Sequence, residues 1–309
     1  MEDLRPLLLS GSSWFESLKP LTEDVPSPWF VAKAPLEEHW VGQLLTAAAA
    51  FAREHGLVTH YRKRFAGISS EDLTPERARI HRCSVSTPIW EIAHELVVAR
   101  YLEKVLLWEY EGHEPPGYKQ ARGDWLFRSC RGRDVFVEVK SLAEPELAAS
   151  TGPYNRGIHY AKIRNAIKGA YKQIPDDGRS ILVVLVGREI LHVPRRLMLG
   201  DIFQTMFGQF QVRFKPFVEN PKFTGGPSFH DMLVHGTKHR RLGCIAGLEL
   251  TGTDYPHVPF YAIDNPFANP QTRLPPADLA NCRRFVFDSA GHGEDLLGLG
   301  AEETWALMA

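Results

Sequence analysis

The chain reads as α/β, a mixed central β-sheet flanked by helices, with extensions at both ends. Three observations predict this. Residues 87–187 alternate helix, strand, strand, helix, strand. Ser180–Val186 is continuous, apolar and β-branched, as in a strand buried on both faces. Hydrophobic residues make up 44% and charged residues 24% of the 309, which excludes a disordered chain and allows a sizeable core. The length allows about two domains, or one with large extensions.

Taken in order, residues 1–35 are rich in Pro, Ser and acids and predict an irregular lead-in. Leu36–His55 has helical spacing through Trp40, Leu44, Ala48 and Phe51, and stops at Gly56. Ser69–Arg82 is polar, with a short helix expected at Thr74-Pro75. Thr87 as N-cap and Pro88 at the first position open a strong helix, Ile89–Leu107. His113–Gly117 is a loop. Two short strands follow, Asp124–Arg128 and Asp134–Lys140, joined by a turn at Arg131-Gly132. A polar loop leads to a helix near His159–Ile174, and Asp176-Asp177-Gly178 turns the chain into the apolar strand. Cys244–Leu250 and Pro259–Ile263 are strands that could extend the same sheet. The expected organisation is an accessory, partly helical segment over 1–80, a core with added strands over 81–265, and an acidic extension over 266–309.

The net charge is −1, from 36 basic and 37 acidic residues, which excludes a protein that is basic all over. The charge is segregated. Leu147–Pro175 holds five basic residues and no acid; Phe285–Ala309 holds five acids and no Lys or Arg. Four well-separated cysteines with no C-x-x-C pair argue against a zinc ribbon, a thioredoxin-like motif or a disulfide scaffold, so a cytoplasmic location is expected. Leu7–Leu9 is too short for a signal peptide. The longest apolar runs, Leu44–Ala52 and Ile181–Val186, fall short of the roughly 20 residues of a membrane span, so no membrane partner is expected.

The chemistry concentrates on the expected hairpin. Alternate strand residues share a face, so Val135, Val137 and Val139 point to the core and Phe136, Glu138 and Lys140 point the other way. Folding about Arg131-Gly132 makes paired positions sum to about 263, which sets Asp124 opposite Val139 and beside Glu138 and Lys140. The two carboxylates then lie within roughly 5–8 Å of each other. Like charges that close need a cation, and oxygen ligands suit Mg²⁺ or Mn²⁺. Lys140 adds a compact positive charge that can orient water or stabilise developing charge.

Asp124, thirteen residues, Glu138, one residue and Lys140, on neighbouring strands, is similar to the PD-(D/E)xK nuclease superfamily. Upstream, Glu95-Leu96-Val97-Val98-Ala99-Arg100-Tyr101-Leu102 resembles the first helix of Holliday-junction-resolvase-type nucleases, and Val135–Lys140 is close to theirs as well. The likeness spans 87–187. It departs at Gly123, where Pro often stands, and in the long loop after Lys140; the Gln-x-x-x-Tyr signature of the RecB-like branch is absent.

The resemblance implies a restriction-endonuclease-like sheet and a Mg²⁺- or Mn²⁺-dependent nuclease, more often on DNA than on RNA. Asp124 and Glu138 would be metal ligands, Lys140 the catalytic lysine and Glu95 an accessory carboxylate at the metal. Gln173, on the helix after the core, would face the site. Glu91 shares a helix face with Glu95, and either could instead pair with Arg100 or Lys104. Arg156, Lys162, Arg164, Lys168 and Lys172 form either a phosphate-contacting surface or a solvated helix face. The same fold could serve as a nucleic-acid-binding or assembly module without catalysis, or as an effector nuclease switched on by a partner protein or a ligand; a homodimer is a further arrangement it allows. His235 and His239 lack the glutamate and the helix of a zinc motif, and Gly291–Gly300 reads as a loop rather than a nucleotide site. Neither a Gly-x-Ser-x-Gly nor a P-loop sequence is present.

Overall fold

The computed structural model describes residues 50–66, 87–112, 124–142, 156–188, 199–207, 210–214, 223–227, 233, 239–252, 256–257, 260–287 and 293–296. The expectations for 1–49, for Thr74-Pro75, for the loop at His113–Gly117 and for Cys83 and His235 lie outside these residues.

Helices α1 (Val58–Ala66) and α2 (Thr87–Lys104) precede strands β1 (Glu109–Gly112), β2 (Trp125–Arg128) and β3 (Asp134–Ser141). Helix α3 (Arg156–Gln173), strand β4 (Ser180–Arg188) and helix α4 (Leu199–Phe207) follow. Next come β5 (Phe210–Phe214), β6 (Phe223–Pro227), β7 (Cys244–Gly252), β8 (Pro256–His257) and β9 (Phe260–Asp264). The last strands are β10 (Arg283–Phe287) and β11 (Gly293–Leu296). Among the described residues the main sheet has nine strands in the order β1-β2-β3-β4-β7-β9-β10-β11, with β8 paired to β7; β5 and β6 form a separate pair. The sheet is mixed: β3, β4 and β7 run parallel, and β1, β2 and β3 form an antiparallel meander. The α/β class and the flanking helices agree with the sequence expectation.

Two apolar layers sandwich this sheet. Val135, Val137, Val139, Leu182, Val184 and Val186 face α2; Phe136, Ile181, Val183 and Leu185 face α3 and α4. β4 contributes to both layers, which is why its sequence shows no polar alternation. Helix α2 is buried all round from His94 to Leu102. Phe51, Ala52 and Tyr61 join the same apolar layer as its Leu96 and Leu102.

Several boundaries differ from expectation. Helix α2 stops at Lys104 rather than Leu107. Leu107 takes a left-handed φ of 57°, and Trp108 turns inward, where its Nε1–H donates to the Asp278 carbonyl at 2.9 Å. Gly56, with φ of 67°, ends the helical residues 50–54 as expected, and the Leu57 amide donates to the Ala52 carbonyl. The hairpin register is corrected by one: Trp125 pairs with Val137 and Phe127 with Val135, so positions sum to 262 rather than 263. The turn is symmetric about Arg131, closed by the Ser129 amide on the Arg133 carbonyl, with Gly132 at φ 75°. The Gly-rich stretch read as a loop contains β11, which pairs with the edge of β10.

Candidate active site

A one-residue change of register moves a side chain to the opposite face of a strand. Continued past Trp125, the observed register sets Asp124 against Glu138 instead of Val139, on the face that carries Phe136 and Lys140. β2 begins one residue later than expected, at Trp125. Asp124 has left the ladder, and its Oδ2 accepts the Val139 amide at 2.7 Å, so a side chain replaces a backbone acceptor there.

Glu138 lies in the middle of β3 with a relative exposure of 1%. Its Oε1 pairs with the Lys140 ammonium. Its Oε2 is buried with no hydrogen-bond partner among the described residues. Burial pushes the Glu138 carboxyl up to about 7; Lys140 opposes the shift and Glu95 adds to it. Burial, then the charges of Glu95 and Glu138, push Asp124 well above the usual carboxylate range. Lys140 also donates from Nζ to Gln173 Oε1 at 2.7 Å, so the glutamine expected to face the site does touch the lysine.

Glu95 comes from α2 and acts on both hairpin acids through its charge. Its carboxylate is clamped by Arg64 of α1: Nη2 donates to Oε1 at 2.8 Å and Nη1 pairs with Oε2. The Arg64 guanidinium also lies 5.4 Å from the centre of the Tyr61 ring, which stacks on Trp125. Burial and then the Glu95 charge raise the Tyr61 hydroxyl well above its usual range, which keeps it protonated. His94 Nδ1 and Ser141 Oγ are 2.8 Å apart at the border of the site. Arg64, Tyr61, His94 and Ser141 were missed from sequence. The only signal for the first two was an aromatic and an arginine three apart on one helix.

The basic residues of α3 separate by face. Ile163, Ile167, Ala170 and Ile174 are buried, while Arg164, Lys168 and Lys172 are exposed at spacings of four. Lys162 is half-buried, and Arg156 begins the helix.

These residues fit a divalent ion by the chemistry of their donors. Two raised carboxyls and one orphaned, buried oxygen are what a hard cation would satisfy. Glu95, Asp124 and Glu138 do not bring their oxygens together within 4.8 Å as a trio; among the described residues the set that does is Glu54, His55 and Glu103. That second set is already held by cations. Arg100 Nη1 lies 2.7 Å from Glu54 and 3.2 Å from Glu103, and Lys104 is 3.5 and 3.6 Å from the same two acids. His239, whose spacing from His235 is not read as a metal motif, uses Nδ1–H on the Leu233 carbonyl at 2.7 Å.

Among the described residues, no helix is long and apolar enough to cross a membrane. Comparison of the chain with protein-family models, with curated proteins and with solved structures gave no match.

Proposed function

We propose that this chain is a Mg²⁺- or Mn²⁺-dependent nuclease of restriction-endonuclease-like fold that hydrolyses phosphodiester bonds, with DNA the favoured substrate. The observation that carries the reading is Glu138: a nearly inaccessible carboxylate in mid-strand, one oxygen on Lys140 and the other without a partner among the described residues, beside a second acid whose ionisation is disfavoured. A structural ion pair has no use for that oxygen, and leaving it bare costs roughly 1–3 kcal/mol. Asp124 and Glu138 would hold the ion, with Glu95 accessory to it.

In the proposed reaction water adds to phosphorus, the bond from phosphorus to one ester oxygen breaks, and the proton lost by the water balances the one gained by the leaving alkoxide. The bound ion supplies Lewis-acid stabilisation of the phosphoryl oxygens and a more acidic water. The chain supplies the rest. Lys140 holds an ammonium at the acids, fixed between Glu138 and Gln173, where it can orient the attacking water or offset negative charge. The Val139 amide fixes Asp124, and Arg64 fixes Glu95. The exposed row Arg164, Lys168 and Lys172 offers charge to flanking phosphates.

The test is cleavage of plasmid and linear DNA, and of RNA, with Mg²⁺ and with EDTA. Expected is cleavage that needs the ion and is lost in Glu138→Gln and Lys140→Ala. Equal activity in the wild type and these variants overturns the assignment.

A further inference from the structure

Among the described residues, three carboxylates, Glu95, Asp124 and Glu138, lie near two cations, Arg64 and Lys140. The cations are shared unequally. Lys140 binds one oxygen of Glu138, whose other oxygen has no partner among the described residues, whereas Arg64 occupies both oxygens of Glu95. A two-pronged guanidinium–carboxylate pair is among the stronger ones, and it is directional. The same guanidinium sits near the Tyr61 ring and feels the charge of Asp124. Yet the Arg64 side chain retains a relative exposure of 33%, against 12% for Glu95, so it has a path outward that the glutamate lacks.

We propose that Arg64 is a built-in competitor for the metal: it holds Glu95 while the site is metal-free and must give up that carboxylate before Glu95 can serve as a ligand. This rests on the metal-centre reading above and adds a residue from outside the 87–187 stretch. The physical ground is competition for the same lone pairs. Glu95 Oε1 and Oε2 each carry an N–H of Arg64, and a divalent ion approaching those lone pairs meets a positive charge. Arg64 is therefore a positioning residue. In the metal-free protein it holds Glu95 beside the other two carboxylates with both of its oxygens paired. Metal loading then swaps one cation for another at Glu95 and leaves the guanidinium, still anchored on α1, at the mouth of the site.

The test is Mn²⁺ binding to the metal-free 309-residue chain, followed by electron paramagnetic resonance of the free ion, with circular dichroism and melting as folding controls. Arg64→Gln should tighten Mn²⁺ about tenfold, Arg64→Lys less, and the gain should vanish when Glu95→Gln is added. Unchanged or weaker binding in Arg64→Gln, with the fold intact, overturns the competitor role; weaker binding shows that Arg64 aids the ligand instead. If Arg64→Gln does not fold, Arg64→Lys decides alone, since a single-pronged ammonium must still release Glu95 more readily. A different result sinks the underlying reading: no Mn²⁺ binding to the wild type, or binding that Glu138→Gln leaves unchanged.

Discussion

The chain carries two acidic clusters on opposite halves of helix α2, and they are built to opposite rules. Toward its C-terminal end, Glu54, His55 and Glu103 converge with Arg100 and Lys104. There, partial burial opposes ionisation of Glu54, but the hydrogen bond and charge of Arg100, with Lys104, hold its carboxyl below the usual range. Toward the N-terminal half, Glu95 meets Asp124 and Glu138, where burial wins and both hairpin carboxyls are raised. By proximity of ligand atoms alone, the first cluster is the better cage. By energetics it is a finished ion-pair network, while the second holds an oxygen with no partner among the described residues and disfavoured charge. In the proposed reading the two clusters are therefore ranked by how their carboxylates are satisfied rather than by how closely their donors converge.

The largest effect that separates the clusters is on catalysis. Glu138→Gln should lower Mg²⁺-dependent cleavage by on the order of 10³-fold or more. Glu103→Gln should leave it within about twofold in the same assay.

Stability against pH comes next. The Glu138 carboxyl ionises near 4.5 in the unfolded chain and at about 7 when folded. Between those values the folded state binds the extra proton, so metal-free stability falls as pH rises through about 4.5 to 7 and levels above, by up to about 3 kcal/mol. Denaturation at pH 5 and pH 8 checks this, and Glu138→Gln should remove its share of the slope. The Glu54 carboxyl is shifted the other way, so its contribution is present above its unfolded value and is lost as pH falls through its lower folded one.

A charge removal gives a smaller contrast of sign. Arg100→Ala takes a buried guanidinium from Glu54 and Glu103 and should destabilise the fold by about 2 kcal/mol, as a melting shift shows. At pH 8, Glu138→Gln should raise the melting temperature of the metal-free protein instead. The smallest effect concerns α3: Lys168→Ala or Lys172→Ala should reduce the salt slope of DNA binding by about one each, measured by fluorescence anisotropy.

Much of the candidate site's arrangement was legible because its spacing is local. Asp124, Glu138 and Lys140 sit on one hairpin, and period-two alternation assigns their faces once the turn is known. The turn itself misled by one residue, because the Arg131-Gly132 dipeptide suggested a two-residue centre while the closed turn spans Ser129–Arg133. Gln173 was accessible because it ends the helix that crosses between parallel strands. Arg64 was not: it reaches Glu95 across 31 positions, and no short-range pattern encodes that contact. β10 was hidden as well: hydropathy alternation does not mark Arg283–Phe287, in which Arg284 is 1% exposed and its Nη2 pairs with Asp264 at 2.6 Å beside β9. A buried arginine with its own partner is a tertiary fact that alternation in hydropathy cannot show.

The most direct measurement is anomalous diffraction from a crystal of the wild type soaked in Mn²⁺. An ion between Asp124 and Glu138, with no peak at Glu54, His55 and Glu103, is the predicted result. A peak at the second cluster, or none at the first, would contradict the account.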